Sequence, residues 1–153
     1  MYYVVMNRRI SVRAIVLDED RLLCVRQTPA NNPNAENSYW NVPGGGLKEG
    51  ESLTDCLRRE IFEELGVKSE IGSLMYIQQF KYGDNEYLEF FYHVKNTSDF
   101  MNIDLTKTNH DGDVEIIEAG FTNPKDRTVL PYFLTEEPLQ QQTGQQTKLF
   151  SYL

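Results

Sequence analysis

The 153-residue sequence has little of what would staple or anchor a chain: two cysteines, one tryptophan, two histidines and no apolar run of membrane-spanning length. Cys24, in an apolar strand-like run, and Cys56, among charged residues, offer neither a disulfide framework nor a metal-ligand spacing. Both are expected to be buried thiols in a reducing cytosol. The opening MYYVVMNRR places its basic pair after its short apolar stretch, the reverse of a signal peptide. With nothing near the ~20 apolar residues a spanning helix needs, no membrane segment is expected. Positive charge is scarce too: 15 Lys and Arg face 23 Asp and Glu, a formal net charge of −8. Such a surface is wrong for non-specific nucleic-acid binding. It does not exclude nucleotides, because a small polyphosphate carried by a divalent cation arrives largely neutralised. No internal repeat or domain boundary is visible, so 1–153 reads as one domain, long enough to bury a core without cross-links.

The informative stretch is 44–67, GGGLKEGESLTDCLRREIFEELGV. Ser52 stands in the N-cap position with Asp55 at the capping-box position, and Gly66 fits the left-handed stop, so a helix is predicted between them. On it Leu57, Ile61 and Leu65 form an apolar stripe, while Glu60 and Glu64 stack one turn apart beside Glu63. Like charges at that spacing repel by a few tenths of a kcal/mol. A hard divalent cation between them reverses the sign, since such ions prefer carboxylate and carbonyl oxygens and are shared with phosphates. A Glu pair on a helix is most often a solvated face, and here the surrounding spacing decides against that.

Gly45, five residues, Glu51, seven residues, then Arg59-Glu60-Ile61-Phe62-Glu63-Glu64-Leu65-Gly66-Val67 fills every fixed position of the Nudix box. Over residues 40–67 the chain therefore resembles the Nudix hydrolases. The resemblance implies an α/β fold, a Nudix-type α/β/α sandwich on a mixed sheet. It also implies hydrolysis of a nucleoside diphosphate linked to another group, by attack of water on phosphorus, with Mg²⁺ as cofactor and Mn²⁺ as substitute. By the same resemblance Glu60 and Glu64 are the main metal ligands, Glu63 a third, and the Gly44 carbonyl a further one. Arg59 and Glu51 would orient these carboxylates through charge-assisted hydrogen bonds. Gly44, Gly45 and Gly46 would let backbone, metal and phosphate meet without a Cβ in the way. The general base is Glu60 or Glu63, or else a carboxylate outside the box: Asp111, Asp113 or Glu115, beside His110 in an acidic connection.

The rest of the chain supplies a frame. Residues 8–17 and 21–27 alternate as strands around an Asp18-Glu19-Asp20 turn and read as a hairpin. Residues 28–38 have no period and read as a loop, and Trp40 after it reads as a core anchor. Residues 69–82 and 86–95 are two aromatic-rich strands with a turn between them, and His93 reads as a satisfied sheet residue. Residues 114–122 form another strand, with Phe121 where many relatives of this family have tryptophan. Residues 125–134 are expected to be a helix interrupted at Pro131, and the glutamine-rich tail is expected either to fray or to pack late.

Substrate is left open by the sequence. A nucleoside triphosphate, including an oxidised one, is the expectation, with ADP-sugars and dinucleoside polyphosphates as alternatives. Tyr82 and Tyr87 lie where a tyrosine can mark the last class. A silent nucleotide-binding regulatory module is the competing reading, but Glu51, Glu60, Glu63 and Glu64 are all retained. A cytoplasmic protein acting on a small nucleotide is expected, and a homodimer is left open.

Overall fold

A computed structural model describes residues 7–28, 39–108 and 116–153. Two five-stranded sheets form the centre. The first has the order β10-β6-β7-β1-β5, from β1 (Asn7–Ile15), β5 (Gly44–Gly46), β6 (Ile71–Tyr82), β7 (Asn85–Val94) and β10 (Lys148–Ser151). It is mixed: β1 runs parallel to β7 and β10 parallel to β6, whereas β6–β7 and β1–β5 are antiparallel. In the second, β3 (Arg21–Gln27) pairs with β2 (Leu17–Asp18), β4 (Trp40–Asn41) and β8 (Ile116–Thr122), and β4 carries β9 (Val129–Leu130).

Alternation along the strands divides the core in two. Val12, Ala14, Val16, Leu23 and Val25 pack under Cys56, Leu57, Ile61 and Leu65 of α1 (Leu53–Leu65). Ile15, Leu17, Leu22, Cys24, Tyr76 and Phe91 point the other way, onto Phe133, Leu134 and Leu139. The latter come from α2 (Phe133–Glu136) and α3 (Leu139–Gln142), so helices cover both faces of the strand layer, as an α/β/α sandwich requires. Cys24 and Cys56 are both buried, and burial pushes each thiol up to about 12. Among the described residues no helix is long and apolar enough to cross a membrane.

Three local expectations need correction, and an open one is decided. Residues 8–17 do not pair with 21–27 along their length: β1 joins the first sheet, and only Leu17–Asp18 turns back onto β3. The one-residue break at Val16 lets the chain step between sheets, because both faces of this segment are buried and neither favours one register. Residues 125–134 are not a helix. Pro131 steers Leu130 away from helical angles, so Val129–Leu130 adds to β4, the Trp40 N–H is taken by the Thr128 carbonyl at 2.8 Å, and a helical turn starts only at Phe133. Of the two outcomes open to the tail, it packs: β10 zips onto β6, and Phe150 stacks on Phe133 with ring centroids 4.6 Å apart. Finally, Ser52 caps α1 by accepting the Asp55 N–H at 3.1 Å, but Asp55 does not complete the box; its carboxylate takes Arg58 at 3.0 Å.

Candidate active site

Helix α1 ends at Gly66, whose φ of 71° is the left-handed value expected of its stop and whose N–H bonds to the Phe62 carbonyl. With both ends fixed, the apolar stripe seats the helix on β1, and Arg59, Glu60 and Glu64 are turned toward the three glycines of β5, with Glu63 beside Arg59.

Arg59 is the hub. Its Nε and Nη2 donate to the two oxygens of Glu51 at 3.0 and 2.7 Å, Nη1 donates to Glu60 at 2.9 Å and to Glu63 at 3.2 Å, and Nη2 also reaches the Gly46 carbonyl at 3.2 Å. A planar guanidinium is the side chain that can serve this many acceptors from fixed directions. Glu51 is held as well by the Lys48 N–H at 2.8 Å. Its hydrogen bonds to Arg59, and next that to Lys48, hold its carboxyl down at about 2. Arg59 shifts upward in return, mainly through its bonds to Glu51.

Glu64 is placed differently. One of its oxygens accepts the Gly44 N–H at 3.1 Å. Burial pushes its carboxyl up to about 8, with Glu60 and Glu63 adding to the rise and Arg13 and the Gly44 bond opposing it.

The glycines divide into three roles rather than one. A Cβ on Gly45 would lie 2.6 and 2.7 Å from the two carboxylate oxygens of Glu60, so the missing side chain is the space that carboxylate occupies. Gly44 has φ +143°, and a Cβ there would run into the Val12 carbonyl of the neighbouring strand. Gly46 is set apart from the other two, since a Cβ there would meet no protein atom within 4 Å; its carbonyl accepts from Arg59 and from the Cys56 thiol.

Some residues were not anticipated. Arg13 Nη1 donates to the Gly44 carbonyl at 3.3 Å and to the Val42 carbonyl at 3.4 Å, while its Nε faces Glu89 at 3.4 Å. Glu89 also accepts from Ser11 at 2.8 Å and Gln78 at 3.0 Å. The signal was present in β1, where Arg9, Ser11 and Arg13 alternate with apolar residues, putting polar groups on the face opposite α1. That face opens into a cleft of about 790 Å³ bordered by Ser11, Arg13, Gly46, Gln78, Tyr87 and Glu89. Tyr87 lines it and stacks on Phe80, whereas Tyr82 is exposed at a turn outside it. Trp40 is the expected buried anchor, flanked by the Arg127 guanidinium 4.7 Å and the Arg26 guanidinium 5.9 Å from its ring. His110, Asp111, Asp113 and Glu115 lie outside the described residues.

Among the described residues, no three His, Cys, Asp or Glu groups converge into a ready-made metal cage. Glu60 and Glu63 are drawn onto Arg59, and Glu64 onto Gly44. The donor set still fits a hard divalent cation: all its atoms are oxygens, the missing Gly45 side chain gives the Glu60 carboxylate its place, and the burial and mutual repulsion that raise Glu64 are what such an ion offsets.

The chain is similar to known proteins in sequence and in fold. The family model described as NUDIX domain matches residues 7–133. The chain is 37% identical over 70 residues to mouse "Nucleoside diphosphate-linked moiety X motif 6", covering 46% of this chain and 18% of that protein. It is 36% identical over 66 residues to the "MutT-like protein" of Streptomyces ambofaciens, covering 42% of this chain and 38% of that one. These matches span well under half the length of either relative. Among solved structures, the MutT protein of Methanosarcina mazei Go1 superposes with a TM-score of 0.64 at 22% identity, over 86% of this chain and 91% of that one, and shows the shared fold.

Proposed function

Because the chain belongs to the NUDIX domain family, matched over residues 7–133, we propose that it hydrolyses the phosphoanhydride of a nucleoside diphosphate linked to another group, through attack of water on phosphorus. A nucleoside triphosphate, oxidised forms included, is the preferred substrate class; ADP-sugars and dinucleoside polyphosphates come next. The observation that carries this reading is the fit of the Glu60 carboxylate into the space left by Gly45, with Arg59 fixing it at 2.9 Å. An acidic interaction surface has no use for such a fit.

Glu60, Glu63, Glu64 and the Gly44 carbonyl would hold a divalent cation, Mg²⁺ with Mn²⁺ as substitute. When bound, it supplies neutralisation of the phosphate charge and a lowered pKa for bound water. The chain's own part is positioning. Arg59, locked by Glu51, sets the direction of Glu60 and Glu63, and the Gly44 N–H and carbonyl link Glu64 to Arg13. The cleft beside Gly46 receives the nucleoside, its volume of about 790 Å³ lying in the range of small-molecule sites. Proton acceptance falls to Glu60 or Glu63, or to Asp111, Asp113 or Glu115 from the neighbouring connection. Loss of kcat with unchanged metal affinity in Asp113→Asn or Glu115→Gln would identify the second group.

A panel of nucleoside triphosphates, ADP-sugars and dinucleoside polyphosphates, incubated with Mg²⁺ or Mn²⁺, tests the proposal. Metal-dependent release of a phosphate product from one class is expected. Ligand-dependent thermal stabilisation with no turnover of any class would instead assign a silent binding module.

A further inference from the structure

Among the described residues, the cleft has aromatic walls and one carboxylate. Phe80 and Tyr87 stack with ring centroids 4.8 Å apart and planes 5° from parallel, and Tyr39, Phe91 and Tyr132 also line the space. Glu89, whose side chain is 13% exposed, lines it from the middle of β7. Its Oε2 accepts from Ser11 at 2.8 Å and, at a longer 3.4 Å, from Arg13 Nε; its Oε1 accepts from Gln78 Nε2 at 3.0 Å. A carboxylate offers about four acceptor sites, so these three bonds leave one, and it belongs to Oε1. The two short bonds come from neutral groups. The site therefore holds this carboxylate in a fixed direction while keeping acceptor capacity inside an aromatic-walled cleft.

We propose that Glu89 selects nucleobases carrying an exocyclic amino group, accepting its N–H at Oε1, against bases that present a carbonyl at the same position. The inference rests on the cleft being the nucleoside site. Ring stacking is tolerant of base identity, so the walls bind without choosing. The carboxylate chooses: an amino group donates to it, whereas a carbonyl oxygen sets lone pairs against lone pairs with no hydrogen to share. Sites built around one hydrogen bond discriminate strongly, because the mismatched ligand leaves a polar group unpaired. Cytosine and uracil differ in this way at one ring position, and adenine and hypoxanthine form the matching purine pair.

Ribose hydroxyls are donors too, and the experiment separates them. Equilibrium binding of CMP, UMP, AMP and IMP is measured alongside steady-state hydrolysis of CTP, UTP, ATP and ITP, with dCTP and dATP as the sugar controls. In at least one ring class the wild-type protein is expected to favour the amino base by tenfold or more, in Kd and in kcat/KM. Glu89→Gln places an amide that can donate at the same point, and is expected to erase or reverse that ratio. The wild-type ratios stand whether or not the variant folds. Equal treatment of amino and carbonyl bases in both ring classes overturns the inference. So does a Glu89→Gln variant that weakens all nucleotides alike, or that changes only the ribose-to-deoxyribose ratio. Selective binding of the amino monophosphates without hydrolysis of any of these triphosphates would refute the preferred substrate class and leave this inference standing; hydrolysis without selectivity would do the reverse.

Discussion

The Gly45 backbone and the Glu60 carboxylate occupy adjoining space, so close that a methyl group on Gly45 would lie 2.6 Å from one carboxylate oxygen and 2.7 Å from the other. Gly45→Ala is therefore expected to push Glu60 off Arg59 and lower kcat/KM by about 100-fold, since misplacement of a catalytic group by ~1 Å has effects of that order. Gly46→Ala meets open space and is expected to stay near wild type. Parallel kinetics on the two variants check this; equal effects would sink the close-approach argument.

Arg59→Lys keeps the charge but loses the fork. A lysine ammonium cannot reproduce paired bonds to both Glu51 oxygens while also serving Glu60 and Glu63. Removal of such supporting partners typically costs about 10–100-fold in metal affinity or activity. Mn²⁺ titration followed by paramagnetic resonance, together with turnover, should show losses in that range with the circular dichroism spectrum unchanged. Wild-type affinity would assign Arg59 a purely structural role.

Glu64→Gln separates function from stability. Its carboxyl is raised to about 8 by burial and by Glu60 and Glu63, so above that pH the metal-free protein holds a charge its surroundings disfavour. Glutamine removes the charge and keeps the shape. Metal-dependent turnover is expected to fall by orders of magnitude, while the Tm of the metal-free protein at pH 9 stays level or rises. A variant that is both active and less stable would refute the assignment.

His93 makes stability depend on pH away from the site. Burial, and then the charge of Lys95, lowers its pKa below the ordinary 6.5. Below 6.5 the unfolded chain takes up a proton that the folded chain resists, so this contribution is complete above that pH and is lost as pH falls. Between pH 7 and 5 the Tm of the wild type is expected to fall more than that of His93→Gln. Parallel curves would show that His93 is not held neutral.

What the sequence determined by itself was local. Ser52 and Gly66 bounded α1, the stripe of Leu57, Ile61 and Leu65 oriented it, and the box spacing delivered Arg59, Glu60, Glu63 and Glu64 to one side of it. All of these depend on contacts within about 20 residues, where helical period and capping leave few alternatives. The distant contacts were decided by the tertiary structure. Parallel pairing of β1 with β7 is what brings Ser11 and Arg13 to Glu89 across more than 70 residues, and strand period alone cannot say which strand is the neighbour. The same limit hid β9 and β10. Each is too short to be stable alone, and each becomes a strand only because β4 and β6 offer unpaired backbone groups that would otherwise be left without partners.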